Sequence, residues 1–252
     1  MSPADPALHL VATSPSPAMR SALRASGALA AVVAAAWALA VWNAPVDRTQ
    51  GVIQKILYLH VPCAFAAYLG FAGTALFGAL YLWRGEERSD RLAAASAGVG
   101  VVFCTLVLLT GPIWGKGTWG RWWSWDLRLT LTLLLYLVYL AYILLRSFTE
   151  GSERTARFAA VYGIAGLLVI PLNYFAIDLA AGRAIHPENL ERGSLGPGMG
   201  LPFALGVAAA LAAFVHLWLQ RAEVARLRAL RARRDAEQSA QEFAPGGASW
   251  DT

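Results

Sequence analysis

The sequence predicts an all-α polytopic membrane protein, six transmembrane helices with an outward, tryptophan-rich loop. Three observations predict it. The hydrophobic class makes up 57% of the 252 residues and charged residues 15%, for a mean hydropathy of +0.48. Soluble domains carry about 25% charge and about 45–50% apolar residues. Six stretches approach the roughly 20 apolar residues that cross about 30 Å of hydrocarbon at about 1.5 Å per residue. None shows the period-2 alternation of a membrane barrel, and in lipid a backbone must satisfy its own polar groups, so each is read as a helix. The composition excludes a disordered chain, and two cysteines exclude a disulfide scaffold.

The spans run Ala25–Trp42, Val61–Trp83, Leu92–Leu109, Leu127–Leu145, Phe158–Leu179 and Leu201–Leu219. The first is largely alanine. Arg20 and Arg24 precede it, and Ala38-Leu39-Ala40 resembles a small-residue cleavage site, so a signal peptide is the competing reading. A long preceding tail and an apolar run beyond the usual 7–15 residues, roughly, of a signal peptide favour an uncleaved span. In the fifth span Pro171 lacks the donor for the Leu167 carbonyl and is expected to kink the helix. Asp178, near its outer end, is costly there and calls for a partner such as Arg183.

Basic residues orient the spans. One side holds Arg20, Arg24, Arg84, Arg88, Arg91, Arg146, Arg154, Arg157, Arg221, Arg226, Arg228, Arg231, Arg233 and Arg234, fourteen in all. The other holds Lys55, Lys116, Arg48, Arg121, Arg128, Arg183 and Arg192, seven in all. Lys and Arg are retained in the cytoplasm. Both termini are therefore expected inside, and Asn43–His60, Thr110–Asp126 and Ala180–Gly200 outside. The net charge of +5 reflects this asymmetry and is no nucleic-acid signal. The chain divides into a disordered cytoplasmic tail (1–19), a six-span membrane domain (20–221) and a basic helical, then disordered, cytoplasmic tail (222–252). In the last, Val224, Leu227 and Leu230 recur every three residues among arginines, which suits anionic membrane lipid or a cytosolic partner.

The informative segment is GPIWGKGTWGRWWSWD, Gly111 to Asp126. Five of the ten tryptophans lie there, Trp114, Trp119, Trp122, Trp123 and Trp125, among Gly111, Gly115, Gly117 and Gly120. An aromatic belt explains one or two Trp at a helix end. Five within twelve residues, with glycines that admit close approach, suggest a floor for a large, flat, apolar ligand. Of four histidines, His60 (in Leu57-Tyr58-Leu59-His60-Val61-Pro62) and His186 (in Ala184-Ile185-His186-Pro187-Glu188) fall on that outward side. His9 lies in the tail and His216 toward the cytoplasmic end of the last span. Each outward histidine alone reads as an interfacial residue. As a pair beside the indoles they fit the axial positions of a haem iron. They are too few for a zinc site. Lys55, Lys116, Arg121 and Arg128 stand where haem propionates need cations, although Arg128 equally reads as a snorkelling interfacial arginine. Asp126 is expected to cap the fourth helix. Cys63 and Cys104 are isolated, with no CxxC or CxxCH, and read as small buried apolar residues.

Trp119-Gly120-Arg121-Trp122-Trp123-Ser124-Trp125-Asp126 resembles the WGxxWxWD signature of the haem-handling membrane proteins of cytochrome c maturation. Gly111-Pro112-Ile113-Trp114-Gly115-Lys116, Arg128-Leu129-Thr130, Leu59-His60-Val61-Pro62 and Ile185-His186-Pro187 extend the match over roughly Gln50–Leu219. Six spans in this length resemble the haem exporter protein C (CcmC) branch. The resemblance implies haem b held at the periplasmic face of a bacterial inner membrane, with His60 and His186 as axial ligands. It implies a platform of Trp114, Trp119, Trp122, Trp123 and Trp125, and propionate contacts from Lys55 and Arg128. It also implies delivery to the haem chaperone CcmE, which bonds haem through its own histidine, in company with the helper CcmD and the ABC transporter CcmAB. No nucleophile or acid–base pair is evident, so a binding and delivery protein is expected, not an enzyme. The alternatives are a haem-containing redox subunit, which normally needs a second ligand pair, and a haem permease, which places polar groups at mid-membrane.

Overall fold

The computed structural model describes residues 14–148, 152–180, 182–183, 185–190 and 193–242. His9 and most of the expected N-terminal tail lie outside them. Among the described residues six helices are long and apolar enough to cross a membrane, and the one β feature is an isolated bridge, Asp47–Gly51.

Helix α1 (Pro17–Asn43) begins where Ser16 accepts the Met19 amide at 3.2 Å and Pro17 occupies the first turn. A short 3₁₀ turn (Val52–Ile56) leads into α2 (Leu57–Arg84), which ends on Gly85 at φ 70°, the left-handed stop that glycine adopts without strain. Helix α3 (Glu87–Trp119) returns antiparallel, followed by α4 (Leu127–Phe148). Helix α5 (Glu153–Leu167) starts on Ser152, which accepts the Thr155 amide. Short α6 (Val169–Tyr174) and α7 (Ala176–Leu179) continue the same crossing, and α8 (Gly200–Glu242) closes the bundle.

Helices α2 and α3 form the most extensive pair. A Cβ on Gly70 would sit 2.6 Å from the Gly100 Cα, so their backbones meet at a contact that tolerates no side chain. Around this pair lies the core of Ala66, Phe71, Ala97, Phe103, Leu135, Tyr139, Ala159 and Phe214. Tyr139 stacks on Phe71 with centroids 3.9 Å apart and donates its hydroxyl to the Gly163 carbonyl at 3.0 Å. Cys63 and Cys104 are buried and unpaired there. At the opposite end from the tryptophans, Arg146 grips Asp90 through two contacts of 2.5 and 2.6 Å, tying α4 to α3. Leucine and valine on the outer faces, such as Leu29, Val32, Leu76, Leu137 and Leu168, are exposed, as lipid contact requires.

One crossing ends well beyond its expected boundary, and two others follow expectation. The third crossing does not stop at Leu109: α3 continues through Gly111 and Pro112 to Trp119. Trp114 and Trp119 are therefore helical, and only Trp122, Trp123 and Trp125 stand in the loop. Pro112 leaves the Leu108 carbonyl without its helical donor, yet the helix runs on through it to Trp119. The fifth crossing breaks into α5, α6 and α7, with the first break at Leu168. The Pro171 kink accounts for that break, because the Leu167 carbonyl has lost its donor. The basic extension of the last crossing is one unbroken helix to Glu242. Asp178 and Arg183 form no ion pair among the described residues.

Candidate functional site: two histidines at the tryptophan end

The outer end of α3 organises the site. One helical turn places Gly111 and Gly115 on the same face. A Cβ on Gly111 would stand 3.2 Å from His60 Cε1, so the absent side chain makes the seat for the imidazole. A Cβ on Gly115 would stand 3.1 Å from the Trp119 ring, which folds back against the helix. His60, in the first turn of α2, meets the edge of Trp114 at 5.8 Å and 77°. Trp119 in turn lies 6.4 Å from the ring of His186. The two imidazoles thus flank one stretch of helix, His60 beside Gly111 and Trp114 and His186 beside Trp119.

Each ring has a hydrogen-bond partner at Nδ1. His186 Nδ1 lies 2.8 Å from the Pro187 carbonyl, which only accepts, so Nδ1 carries the proton and Nε2 the lone pair. His60 Nδ1 lies 2.9 Å from Thr110 Oγ1. His186 is half-buried. Burial pushes its pKa below the ordinary 6.5, helped by the Arg128 charge and opposed by the Pro187 carbonyl and Asp126. It is therefore neutral at pH 7, the form that binds metal. His216 has both nitrogens engaged, by Ser26 at 3.0 Å and Gln220 at 3.0 Å, and it joins α8 to α1.

The cations are anchored by protein oxygen. Lys55 donates to the carbonyls of Val41 at 2.8 Å and Trp42 at 3.1 Å, capping the last turn of α1, with one N–H to spare. Arg128 donates through one nitrogen to the Tyr174 carbonyl at 3.2 Å and to Asn189 Oδ1 at 2.7 Å, which fastens the loop carrying His186 to α4. The Arg128 carbonyl accepts from Asn173, whose Oδ1 accepts from the Tyr68 hydroxyl. Lys116 reaches the Gly120 carbonyl at 3.0 Å. Asp126 caps α4 by accepting the Leu129 amide at 2.9 Å.

The loop indoles form an outward surface. Trp122 and Trp125 are 60% and 76% exposed, and Trp123 meets Trp125 edge-on at 5.7 Å. Trp123 Nε1 is buried with no hydrogen-bond partner, as are both amide atoms of Gln54 and the Tyr58 hydroxyl at this end of the bundle. An unmet buried polar atom costs about 1–3 kcal/mol, so these atoms suit a site that a partly polar ligand completes. Two imidazoles with free Nε2, flat indoles and spare N–H donors fit haem. Among the described residues no group of three His, Cys, Asp or Glu is placed to hold a bare metal ion.

Several contributors escaped the sequence reading. Gln50 accepts the Trp114 indole at 2.8 Å, Thr110 meets His60, and Trp37 of α1 donates to the Tyr58 carbonyl at 3.1 Å, two residues before His60. Pro62 offered a signal for the last, since a proline in a helix frees the carbonyl four residues earlier.

Comparison with known proteins gives a consistent result. The family model described as Heme exporter protein C matches residues 11–241. A Heme exporter protein C from Haemophilus influenzae is 33% identical over 190 residues, covering 73% of this chain and 75% of the relative. One from Paracoccus denitrificans is 37% identical over 163 residues, covering 62% and 68%. One from Bradyrhizobium diazoefficiens is 39% identical over 137 residues, covering 54% and 51%, so the chain spans about half the length of that relative.

Proposed function

Because the chain belongs to the Heme exporter protein C family, we propose that it holds haem b at the periplasmic face of a bacterial inner membrane and delivers it to the haem chaperone CcmE. The helper CcmD and the ABC transporter CcmAB complete the assembly in this reading. The chain is a multi-pass membrane protein that handles haem for cytochrome c biogenesis. His60 and His186 are the axial ligands; Trp114, Trp119, Trp122, Trp123 and Trp125 are the platform; Lys55 and Arg128 receive the propionates through their remaining N–H groups.

One observation carries the reading: of the three described histidines, the two at the tryptophan end leave Nε2 unengaged, and the third does not. The bound haem supplies an iron that two neutral imidazoles can ligate and a conjugated face that indoles can cover. The chain itself orients and shields. The exposed Trp122 and Trp125 leave one margin of the platform open, through which a chaperone could reach the porphyrin edge. Absorption spectroscopy of the purified full chain loaded with haem tests the proposal. A six-coordinate, low-spin bis-histidine spectrum is expected; a high-spin spectrum indistinguishable from haem in detergent alone overturns it.

A further inference from the structure

We propose that Thr110 is a positioning residue that fixes the tautomer and ring plane of His60, so that Nε2 points outward with its lone pair. The inference rests on the reading of His60 as an axial ligand and deepens it.

Thr110 lies on α3, one residue before the glycine against which the imidazole packs. Its hydroxyl has a single proton, and the geometry commits that proton: Oγ1 stands 2.7 Å from the Leu106 carbonyl one turn back. A threonine on a helix commonly bonds in this way, which also locks its side-chain rotamer. The oxygen that faces His60 Nδ1 at 2.9 Å is then an acceptor. A neutral imidazole has one N–H, so the proton sits on Nδ1 and the lone pair on Nε2. Without Thr110 nothing in the surrounding contacts chooses between the tautomers: Gly111 presents backbone to Cε1, and Trp114 presents an aromatic edge. His186 reaches the same tautomer by a different route, through a carbonyl of its own loop. An acceptor behind a ligating imidazole also makes it more electron-rich, and losing such a partner typically weakens metal binding about 10–100-fold.

The test uses the full chain in detergent and three variants, Thr110→Val, Thr110→Ser and His60→Ala. In the haem-free chain, nitrogen-detected NMR of the histidine rings, with His60 assigned by its loss in His60→Ala, should show the Nδ1–H form in the parent and in Thr110→Ser. Thr110→Val, nearly isosteric but without the hydroxyl, should show a mixture or the Nε2–H form. With haem b added, Thr110→Val should bind at least tenfold more weakly, with a larger five-coordinate fraction and a midpoint potential shifted positive, and Thr110→Ser should restore the parent values. A parent chain with His60 in the Nε2–H form overturns the proposal whether or not Thr110→Val folds. So does a folded Thr110→Val with parental tautomer, affinity and potential. If instead His60→Ala keeps a parental low-spin spectrum, the ligand assignment itself fails, and that failure is distinct from the failure of Thr110→Val to differ.

Discussion

The indole N–H of Trp37, on α1, donates over 3.1 Å to the carbonyl of Tyr58, the group that Pro62 deprives of its helical donor in α2. The same carbonyl is the point where Gly206 of α8 packs, since a Cβ there would collide with it. Three helices therefore meet behind the turn that carries His60. Trp37→Phe keeps the ring and removes the donor. It is expected to destabilise the chain by about 1–3 kcal/mol, the cost of an unmet buried acceptor, and to weaken haem binding with it. Thermal unfolding in detergent beside a haem titration measures both, and an unchanged pair of values would refute the expectation.

Ligation is separable histidine by histidine. His60→Ala and His186→Ala should each convert a six-coordinate spectrum to a five-coordinate or empty one. His216→Ala and His9→Ala should leave it unchanged. His216→Ala should instead loosen α1 from α8, because Ser26 loses its partner. Low-spin spectra preserved in both outward variants would end the bis-histidine reading.

The indoles should fail differently from the imidazoles. Replacing Trp119, Trp123 and Trp125 together by Ala removes the platform and leaves the axial nitrogens. Aromatic pairs gain about 0.5–1.5 kcal/mol each beyond area burial. Three losses therefore approach about 1.5–4.5 kcal/mol, roughly ten- to a thousandfold in affinity. Haem that remains should still be bis-histidine, while transfer to the chaperone falls. Full occupancy with normal transfer would reduce these residues to an interfacial belt.

Topology gives an independent check. The distribution of arginine predicts Trp122–Trp125 outside and both termini in the cytoplasm. A reporter fused after Asp251 should be active only as a cytoplasmic tag. Periplasmic activity there would reverse the map and move the haem site inside.

A pH effect is expected in the first outward segment. Asp47 accepts the amides of Gln50 at 2.7 Å and Thr49 at 2.8 Å, and these bonds hold its pKa below the usual 3.8. A lowered carboxyl pKa means the charged form is favoured in the fold. The turn that presents Gln50 to Trp114 is then intact above pH 3.8 and loosens as pH falls through the lower, folded value. A carbon-detected titration of the Asp47 carboxyl should find its midpoint below 3.8, and a midpoint at or above that value would contradict the geometry.

The crossings were legible because length and apolarity are properties of a segment alone. The Asp126 cap was legible for the same reason, a local pattern with a local partner. What failed depends on neighbours. Glycines and a proline at 111–117 read as a loop because their use is visible only once His60, Trp119 and Ile53 occupy the space beside them. The charge of Lys55 and Arg128 made them candidates for the site, yet charge alone does not reveal that carbonyls of Val41, Trp42 and Tyr174 hold them. Thr110 sits at the edge of an expected span, where a hydroxyl has no distinguishing signature without the histidine opposite it.

His60 belongs to a helix backed by α1, α3 and α8, whereas His186 belongs to an irregular connection fastened by its own Pro187 carbonyl and by the Asn189–Arg128 bond. The consequence is kinetic. If both histidines hold haem as proposed, a cargo gripped by one helix and one loop would leave in two stages, with the loop-held side opening first. Residence time in that reading would follow how tightly Arg128 latches the loop through Asn189, and less the stability of the whole bundle. A docking protein that competed for Asn189 or Arg128 would trigger hand-over while the helix-held side still kept the cargo in register.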